Sequence, residues 1–138
     1  MRYYIDTNII INLAIDDYIS EDVRAIMDDY SNLIYVSSEC VREFIQLEQA
    51  GSIAWIKKPK NFDIFNFIKN EWGFTIKYIA EEHLQTFAAL PLFDDHKDPF
   101  DRLIIAQAMT EQIPIISNDG KFKKYRKLGL EFILNRRN

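Results

Sequence analysis

The chain has 138 residues, of which 48% are hydrophobic and 28% are charged, and its formal net charge is −4 at pH 7. This length fits one domain over residues 1–138, and the apolar fraction is too high for a disordered protein. The single cysteine excludes an intrachain disulfide framework and a cysteine-based zinc site, and it favours a reducing, cytoplasmic compartment. Because no apolar run approaches the roughly 18 residues of a membrane span, and the first residues lack a signal-peptide core, we expect a cytoplasmic protein.

The charge is distributed unevenly along the chain. Residues 121–138 carry seven Lys or Arg and one acid, whereas residues 1–120 carry ten Lys or Arg and twenty Asp or Glu. A basic segment beside an acidic body is compatible with a polyanion held next to a metal site, and equally with a solvated basic helix. Charge alone does not decide between them.

Short apolar segments alternate with amphipathic segments along the chain. In chain order we predict strand 2–5, helix 20–30, strand 33–36, helix 38–51, helix 62–72, strand 75–79, helix 80–90, helix 99–112, strand 113–117, helix 121–128 and strand 131–134. None of the strands alternates cleanly between polar and apolar residues, which is typical of parallel strands buried on both faces. The pattern therefore predicts an α/β fold with a mainly parallel central sheet covered by helices on both sides.

Local signals mark where several helices begin and end. Ser20 and Ser37 each precede acidic residues, and Asp98 precedes a proline, as helix N-caps commonly do. Gly51 and Gly129 follow helical patterns and are typical helix stops.

Two acids follow strands directly. Asp6 comes after strand 2–5, and Asp119 lies two residues beyond strand 113–117. Ligands of open parallel sheets bind beyond the carboxyl ends of the strands. If the two strands lie close together, both carboxylates reach the same edge.

A third acid, Asp101, lies in the first turn of helix 99–112 and borders its apolar stripe on a helical wheel. An ionised carboxylate there is costly unless it is paired, hydrogen-bonded or bound to a metal. Asp101 could instead complement the helix dipole or form a capping box with Asp98, and Asp98 itself has the ordinary role of an N-cap. The sequence leaves both interpretations of Asp101 open.

The helix after strand 33–36 offers three glutamates. Glu39 shares the polar face and is expected in solvent, whereas Glu43 and Glu48 both border the apolar arc. Periodicity does not choose between the last two. Glu48 is farther from the sheet edge by roughly 7 Å at 1.5 Å rise per residue, which favours Glu43.

Four segments together resemble one known family. They are DTN after the first strand, an acid on the SSECVREF helix, HKDPFDRLIIAQA, and a strand running into SNDGKF. In this order and at these spacings they resemble the PIN-domain family, and particularly the VapC-like toxins of bacterial toxin–antitoxin pairs. The resemblance spans nearly the whole chain, and the DPFDR and IIAQA segments are its most distinctive part.

The resemblance implies a three-layer α/β/α domain whose four acids bind one or two Mg²⁺ or Mn²⁺ ions and cleave RNA. The matching acids are Asp6, Glu43, Asp101 and Asp119. The resemblance also assigns supporting roles around them, with small polar neighbours at Thr7, Asn8 and Ser117 and an additional acid, acting through water, at Asp98. It further implies a cognate antitoxin, with an Arg or Lys inserted into the acidic site, and a homodimer.

The residues themselves agree with this chemistry. Carboxylates suit Mg²⁺ or Mn²⁺, and a metal-activated water can hydrolyse a phosphodiester to leave 5′-phosphate and 3′-hydroxyl ends. A metal-free ribonuclease would need paired general acids and bases. The two available histidines, His83 and His96, are expected to be solvated or structural.

Basic and apolar residues near the acids are candidates for contacts with RNA or a partner. The basic candidates are Arg102, Lys121, Lys123 and Lys124, with a structural ion pair as an equal alternative for Arg102. The apolar candidates for the walls of an antitoxin groove are Ile9, Ile10, Leu13 and Phe44, with core packing as the alternative for each.

Two other classes of protein compete with the nuclease interpretation. A catalytically idle PIN-like binding module would have no reason to assemble four mutually repelling carboxylates. A phosphoacceptor receiver domain needs a second acid beside the one that ends the first strand, whereas Tyr4 and Ile5 precede Asp6 here. We therefore expect a metal-dependent endoribonuclease, and keep the idle module as the alternative.

Overall fold

Five short strands form one parallel sheet in a computed structural model, which describes residues 1–137 of the chain. The strands are β1 (Arg2–Ile5), β2 (Leu33–Ser37), β3 (Thr75–Lys77), β4 (Ile115–Ser117) and β5 (Phe132–Leu134). Their order across the sheet is β3-β2-β1-β4-β5. The central strand, β1, therefore pairs with β2 on one side and with β4 on the other, and β3 and β5 are the edges.

The register of the sheet brings the carboxyl ends of β1 and β4 together. Ile5 is opposite Val36 of β2 and Ile116 of β4, and all three side chains are almost completely buried. The amide of Asp6 also donates to the carbonyl of Ile116 at 2.9 Å. The prediction of a parallel sheet is confirmed, and the residues that follow β1 and β4 lie side by side.

Helices cover both faces of the sheet, giving the predicted three-layer α/β/α architecture. They are α1 (Thr7–Ala14), α2 (Glu21–Asp28), α3 (Ser38–Gln49), α4 (Ile64–Asn66, continued by a π-helical turn at Phe67–Glu71), α5 (Glu81–Ala89), α6 (Pro99–Glu111) and a 3₁₀ helix at Gly120–Leu128. Helix α6 packs against both α3 and α5.

The predicted helix starts are confirmed by their hydrogen bonds. Ser20 accepts from the amide of Val23, Ser37 from Glu39 and Asp98 from Phe100, at 3.3, 3.1 and 2.9 Å. These bonds satisfy amides that have no partner within the helix. The two predicted helix stops, Gly51 and Gly129, have positive φ angles of 70° and 108°, a conformation that favours glycine.

The largest differences from the predicted elements are in three places, and strands β3 and β4 are also shorter than predicted. Helix α1 is absent from the prediction, because its run of three isoleucines fits a buried strand as well as a helix. The predicted helix 62–72 begins only at Ile64 and ends as a π-helical turn, and the predicted helix 121–128 is a 3₁₀ helix. Packing against the sheet decides these local geometries.

Several residues expected at a partner groove lie in the core instead. Ile9, Ile10 and Phe44 are 0%, 1% and 0% exposed, so the core-packing alternative is confirmed for these three and they do not line an antitoxin groove. Leu13 is partly buried and packs against the same core. The cysteine, Cys40, is also buried. Within residues 1–137, no helix is both long enough and apolar enough to cross a membrane.

Candidate active site

Asp6 is held in place by hydrogen bonds at the end of β1. Its Oδ1 accepts from the amide of Thr7 at 2.7 Å, which makes Asp6 the N-cap of α1. Its Oδ2 accepts from the Ser117 hydroxyl at 2.6 Å and from the Asn8 side-chain amide at 3.2 Å. Asp6 is only 3% exposed, so its carboxylate has one fixed orientation at the sheet edge.

Ser117 links the ends of β1 and β4. Its hydroxyl donates to Asp6 and accepts from the amide of Asp119 at 3.1 Å. Asn8 strengthens this link, because its side chain donates to the Ser117 hydroxyl at 3.3 Å and accepts from the amide of Asn118 at 3.1 Å. Thr7, Asn8 and Ser117, which were selected from the sequence, therefore form one hydrogen-bond network around Asp6. The same network fixes the position of the Asp119 backbone amide.

Asp101 and Asp119 come together with a histidine. One ligand atom each from His96, Asp101 and Asp119 lie within 4.8 Å of one another. The His96 Nε2 atom is 3.3 Å from Asp101 Oδ2, and its Nδ1 is 2.6 Å from the Tyr125 hydroxyl. With 4% of its surface exposed, His96 is a buried residue of the acidic cluster.

The buried carboxylates perturb one another. Burial raises the pKa of Asp6 to about 6, against the hydrogen bonds from Ser117 and Thr7 that lower it, and the charges of Glu43 and Asp119 raise it further. Burial also raises the pKa of Asp101 to about 8, with the charges of Asp6, Asp98, Glu43 and Asp119 adding to the effect. Such large coupled shifts are typical of functional sites.

The two glutamates left open by the sequence have different surroundings. The charge of Glu43 acts on Asp6 and Asp101 and also contributes to the raised pKa of the buried Cys40 thiol. Glu48 lies 3.4 Å from the Lys58 ammonium group and forms a salt bridge with it. Glu43, and not Glu48, is therefore the glutamate whose charge is coupled to the acids at the sheet edge.

The donor set fits a divalent cation. Converging carboxylates that are desolvated and repel one another are stabilised by a bound cation, and oxygen donors suit Mg²⁺ or Mn²⁺. The raised pKa values of Asp6 and Asp101 record how unfavourable the charged cluster is on its own. Of the acids selected from the sequence, Asp101 and Asp119 lie with His96 in a cluster that could hold such an ion, and among residues 1–137 this cluster includes neither Asp6 nor Glu43.

The remaining candidates selected from the sequence differ in how exposed they are and in whether they are already paired. Asp98 is exposed and caps α6, and its charge reaches Asp101. Arg102 is 8% exposed, and its guanidinium donates to the Leu90 carbonyl at 3.0 Å, so it does not reach the surface to contact RNA or a partner as expected. Lys124 forms a salt bridge with Asp95. The two lysines nearest to Asp119 on the 3₁₀ helix, Lys121 and Lys123, are exposed.

His96 is the residue that sequence reasoning missed. Of the two alternatives stated for it, His96 is structural and not solvated, because the chain from Phe93 to His96 turns inward and places the ring against Tyr125 and Phe122. Burial lowers the pKa of His96, although the charges of Asp119 and Asp98 oppose this shift. A neutral ring can accept from Tyr125 at Nδ1 and donate to Asp101 from Nε2.

Comparisons with known proteins agree with this geometry. Residues 3–128 match the family model of the PIN domain, so the chain belongs to the PIN domain family. A search of curated proteins gives no significant match. Membership of this family supports a hydrolase that acts on nucleic acid, and PIN nucleases generally use a divalent metal.

Two solved structures have the same fold. One is VapBC2 from Rickettsia felis bound to a DNA fragment from its promoter, which is 22% identical, with a TM-score of 0.64 and coverage of 97% of this chain and 98% of that chain. The other is FitAcB from Neisseria gonorrhoeae, which is 19% identical, with a TM-score of 0.63 and coverage of 95% of this chain and 96% of that chain. At these identities the likeness establishes the fold.

Proposed function

We propose that the chain is a Mg²⁺- or Mn²⁺-dependent endoribonuclease and the toxin of a toxin–antitoxin pair, with Asp6, Glu43, Asp101 and Asp119 as its catalytic and metal-binding residues. The observation that carries this proposal is the cluster of Asp101 and Asp119 with His96, whose ligand atoms lie within 4.8 Å of one another, next to the strand end where Ser117 holds the Asp6 carboxylate. Membership of the PIN domain family supports the same conclusion.

The four carboxylates would hold the cation, which supplies an activated water and neutralises the charge that develops on the phosphate. Without the cation, Asp101 retains a proton up to about pH 8, and that proton must leave before the carboxylate can bind a metal. Ser117, Thr7 and Asn8 orient Asp6 through their hydrogen bonds. Fixed ligand orientation of this kind lowers the cost of assembling the charged site.

Other residues of the chain would position the site and its substrate. A neutral His96 would donate to the Asp101 carboxylate from Nε2 and so fix its orientation, while Asp98 would contribute negative charge from the surface and act through water. Exposed lysines at Lys121 and Lys123 follow Asp119 and would contact the phosphate backbone, the usual positioning role of such residues. Lys124 would assist them less, since it is paired with Asp95.

The two structural neighbours belong to toxin–antitoxin complexes, which supports a cognate antitoxin as partner. The antitoxin would insert an Arg or Lys into the acidic site, where a cation side chain can pair with the carboxylates in place of the metal. We further propose that the protein acts in the cytoplasm, where its RNA substrate is found, and that it forms homodimers.

Incubation with total RNA tests the enzymatic part of the proposal. We expect cleavage with Mg²⁺ or Mn²⁺ that leaves 5′-phosphate and 3′-hydroxyl ends, and no cleavage in EDTA. Asp6→Asn and Asp101→Asn should reduce the rate by orders of magnitude, whereas Glu71→Gln, which removes an exposed carboxylate before β3, should not. Undiminished cleavage in EDTA would exclude the metal mechanism, and no cleavage at all would favour the idle binding module.

Induced expression tests the toxin part. The wild-type chain expressed alone should arrest growth, and both Asp6→Asn and co-expression of the cognate antitoxin should relieve the arrest. Harmless accumulation of folded wild-type protein would contradict the assignment as a toxin while leaving the nuclease activity to be judged by the cleavage assay.

A further inference from the structure

A cleft of about 310 Å³ opens beside the acidic site at the carboxyl ends of β4 and β5. Its lining includes Tyr18, Asn118, Asn135, Arg136 and Arg137. We propose that this cleft is a subsite for single-stranded RNA, in which the two arginines contact phosphates and Tyr18 stacks on a base. The inference rests on the proposed ribonuclease function. It adds the path that the RNA follows beyond the acidic site.

The cleft begins where the acidic site ends. Asn118, in its lining, is the residue between Ser117 and Asp119, and consecutive Cα atoms are about 3.8 Å apart. Its amide donates to the Asn8 side chain, which in turn donates to Asp6. An RNA strand with one phosphate bound at the acidic site can therefore continue into this cleft.

Asn135 fixes the chain that carries the two arginines. Its side chain accepts from the amide of Ser20 at 2.7 Å and donates to Asn118 Oδ1 at 2.7 Å, and its own amide donates to the Ser117 carbonyl at 2.9 Å. It is only 5% exposed. Because Asn135 is buried and makes several hydrogen bonds, its position is fixed. The residues that follow it therefore leave the sheet in one defined direction, beside Asn118.

The side chains beyond Asn135 have the chemistry that an RNA strand requires. Arg136 is exposed and pairs with no carboxylate among residues 1–137. Arg137 donates to Asp17 at 2.9 Å, and its guanidinium carbon lies 5.1 Å from the centre of the Tyr18 ring. A cationic groove with an aromatic platform is the usual way to bind single strands without reading their sequence.

Because most of the molecule is acidic, a polyanionic substrate is expected to bind at the few cationic surfaces near the site, such as this cleft. The acidic site repels phosphate unless a metal is bound, and residues 1–120 carry twice as many acids as bases. Substrate affinity must therefore come from cations flanking the site. A larger adjoining groove also contains Arg126, but Glu21 and Asp22 line it too, so we confine the RNA path to the smaller cleft.

Binding of a short labelled single-stranded RNA to the full chain carrying Asp6→Asn tests this assignment, because this background separates binding from cleavage. Arg136→Ala and Tyr18→Leu should each weaken binding by about fivefold or more. Arg136→Ala should also reduce the slope of log affinity against log salt by about 0.7, the value for one phosphate contact on a single strand. Arg136→Lys, which keeps the charge, should retain most of the affinity.

Lys69→Ala is the matched control, since it removes an exposed cation near β3, at the opposite edge of the sheet. Equal effects of Arg136→Ala and Lys69→Ala, or no RNA binding at all, would overturn the subsite. Weaker antitoxin binding with unchanged RNA binding would assign the cleft to the protein partner and also overturn it. A wild-type chain that fails to cleave RNA while Arg136→Ala weakens binding selectively would reject the proposed activity and leave the subsite standing.

Discussion

The carboxyl groups of Asp6 and Asp101 are the most perturbed acids of the candidate site. Burial and neighbouring charges raise their pKa values to about 6 and about 8, whereas an unfolded aspartate titrates near pH 4. Between about pH 4 and pH 8 the folded chain therefore binds more protons than the unfolded chain. Because stability rises with pH only where the unfolded state binds more protons, these two groups make the metal-free protein less stable as pH rises through this window.

We predict that the free energy of unfolding in EDTA falls more steeply with pH in the wild type than in Asp101→Asn, which lacks the group with the higher pKa. Denaturant titrations across this pH range measure both slopes. Mn²⁺ should flatten the wild-type slope, because the cation replaces the protons. Parallel pH profiles for the two proteins would show that Asp101 does not have a raised pKa.

Glu43 and Glu48 allow a matched test on one helix. Glu43→Gln removes a charge that acts on Asp6 and Asp101, whereas Glu48→Gln removes a charge paired with Lys58. We predict that Glu43→Gln reduces the RNA cleavage rate by at least about a hundredfold, and that Glu48→Gln leaves it within a factor of about three, because Glu48 is paired with Lys58 and not with the acids of the site. Loss in Glu48→Gln with full activity in Glu43→Gln would show that the wrong glutamate is proposed.

His96 supports the acids through its contact with Asp101. Replacing a residue that orients a metal ligand typically costs about 10- to 100-fold in metal affinity or activity. We predict that His96→Gln raises the Mn²⁺ concentration for half-maximal activity by about tenfold, with a smaller effect on the rate at saturating Mn²⁺. His83→Gln is the control, since His83 is equally buried but pairs with Glu111. An unchanged Mn²⁺ requirement in His96→Gln would contradict the positioning role.

At this scale the strand-end acids and the small polar residues around Asp6 could be predicted, whereas the buried partner of Asp101 could not. Asp6 and Asp119 were found because strand ends determine which residues share an edge. His96 gave no such signal, since it lies in a polar loop whose inward turn depends on packing against Tyr125 and Phe122. The sequence leaves Arg102 open between a contact with RNA or a partner and a structural ion pair, whereas in the fold it is buried and donates to the Leu90 carbonyl, and its Nε has no hydrogen-bond partner among residues 1–137.

The ends of β1 and β4 are joined by one hydroxyl group. Ser117 donates to Asp6 and accepts from the Asp119 amide, and its hydrogen bond lowers the pKa of Asp6 against the effect of burial. We predict that Ser117→Ala destabilises the protein by about 1 to 3 kcal/mol, because buried polar groups lose their partner. It should also move the acidic limb of the pH profile of kcat/KM to higher pH, since Asp6 then ionises less readily.

Ser38→Ala controls for the loss of a hydroxyl, because Ser38 accepts from the amide of Ile79 at 3.1 Å, away from the acids. That variant should lose stability without shifting the pH profile. Equal pH profiles for Ser117→Ala and the wild type would show that the link between the strands is structural only.

Elements with strong local signals could be predicted from the sequence, and those decided by packing could not. Ser20, Ser37 and Asp98 mark helix starts through their own hydrogen bonds, which any chain with these residues can form. Helix α1 has a β-branched run that suits both helix and strand. Its helical form depends on capping by Asp6 and on burial of Ile9 and Ile10 against the sheet.

The molecule as a whole combines an acidic edge of the sheet with a basic C-terminal segment. We expect two consequences of this charge distribution: metal binding at the acids, and RNA binding by cations around them. The parallel sheet makes both possible, because it brings Asp6, Asp119 and the residues after β5 to one edge. Order along the chain predicts that edge, and only the folded structure reveals the cleft next to it.

The rate of RNA cleavage as a function of Mn²⁺ concentration tests the proposed site most directly. For the wild type we predict no cleavage in EDTA and a rate that rises with Mn²⁺ to saturation. Asp6→Asn and Asp101→Asn should remain slower by orders of magnitude even at saturating Mn²⁺. A wild-type rate that does not depend on Mn²⁺, or either variant cleaving RNA as fast as the wild type, would contradict a metal site built from these acids.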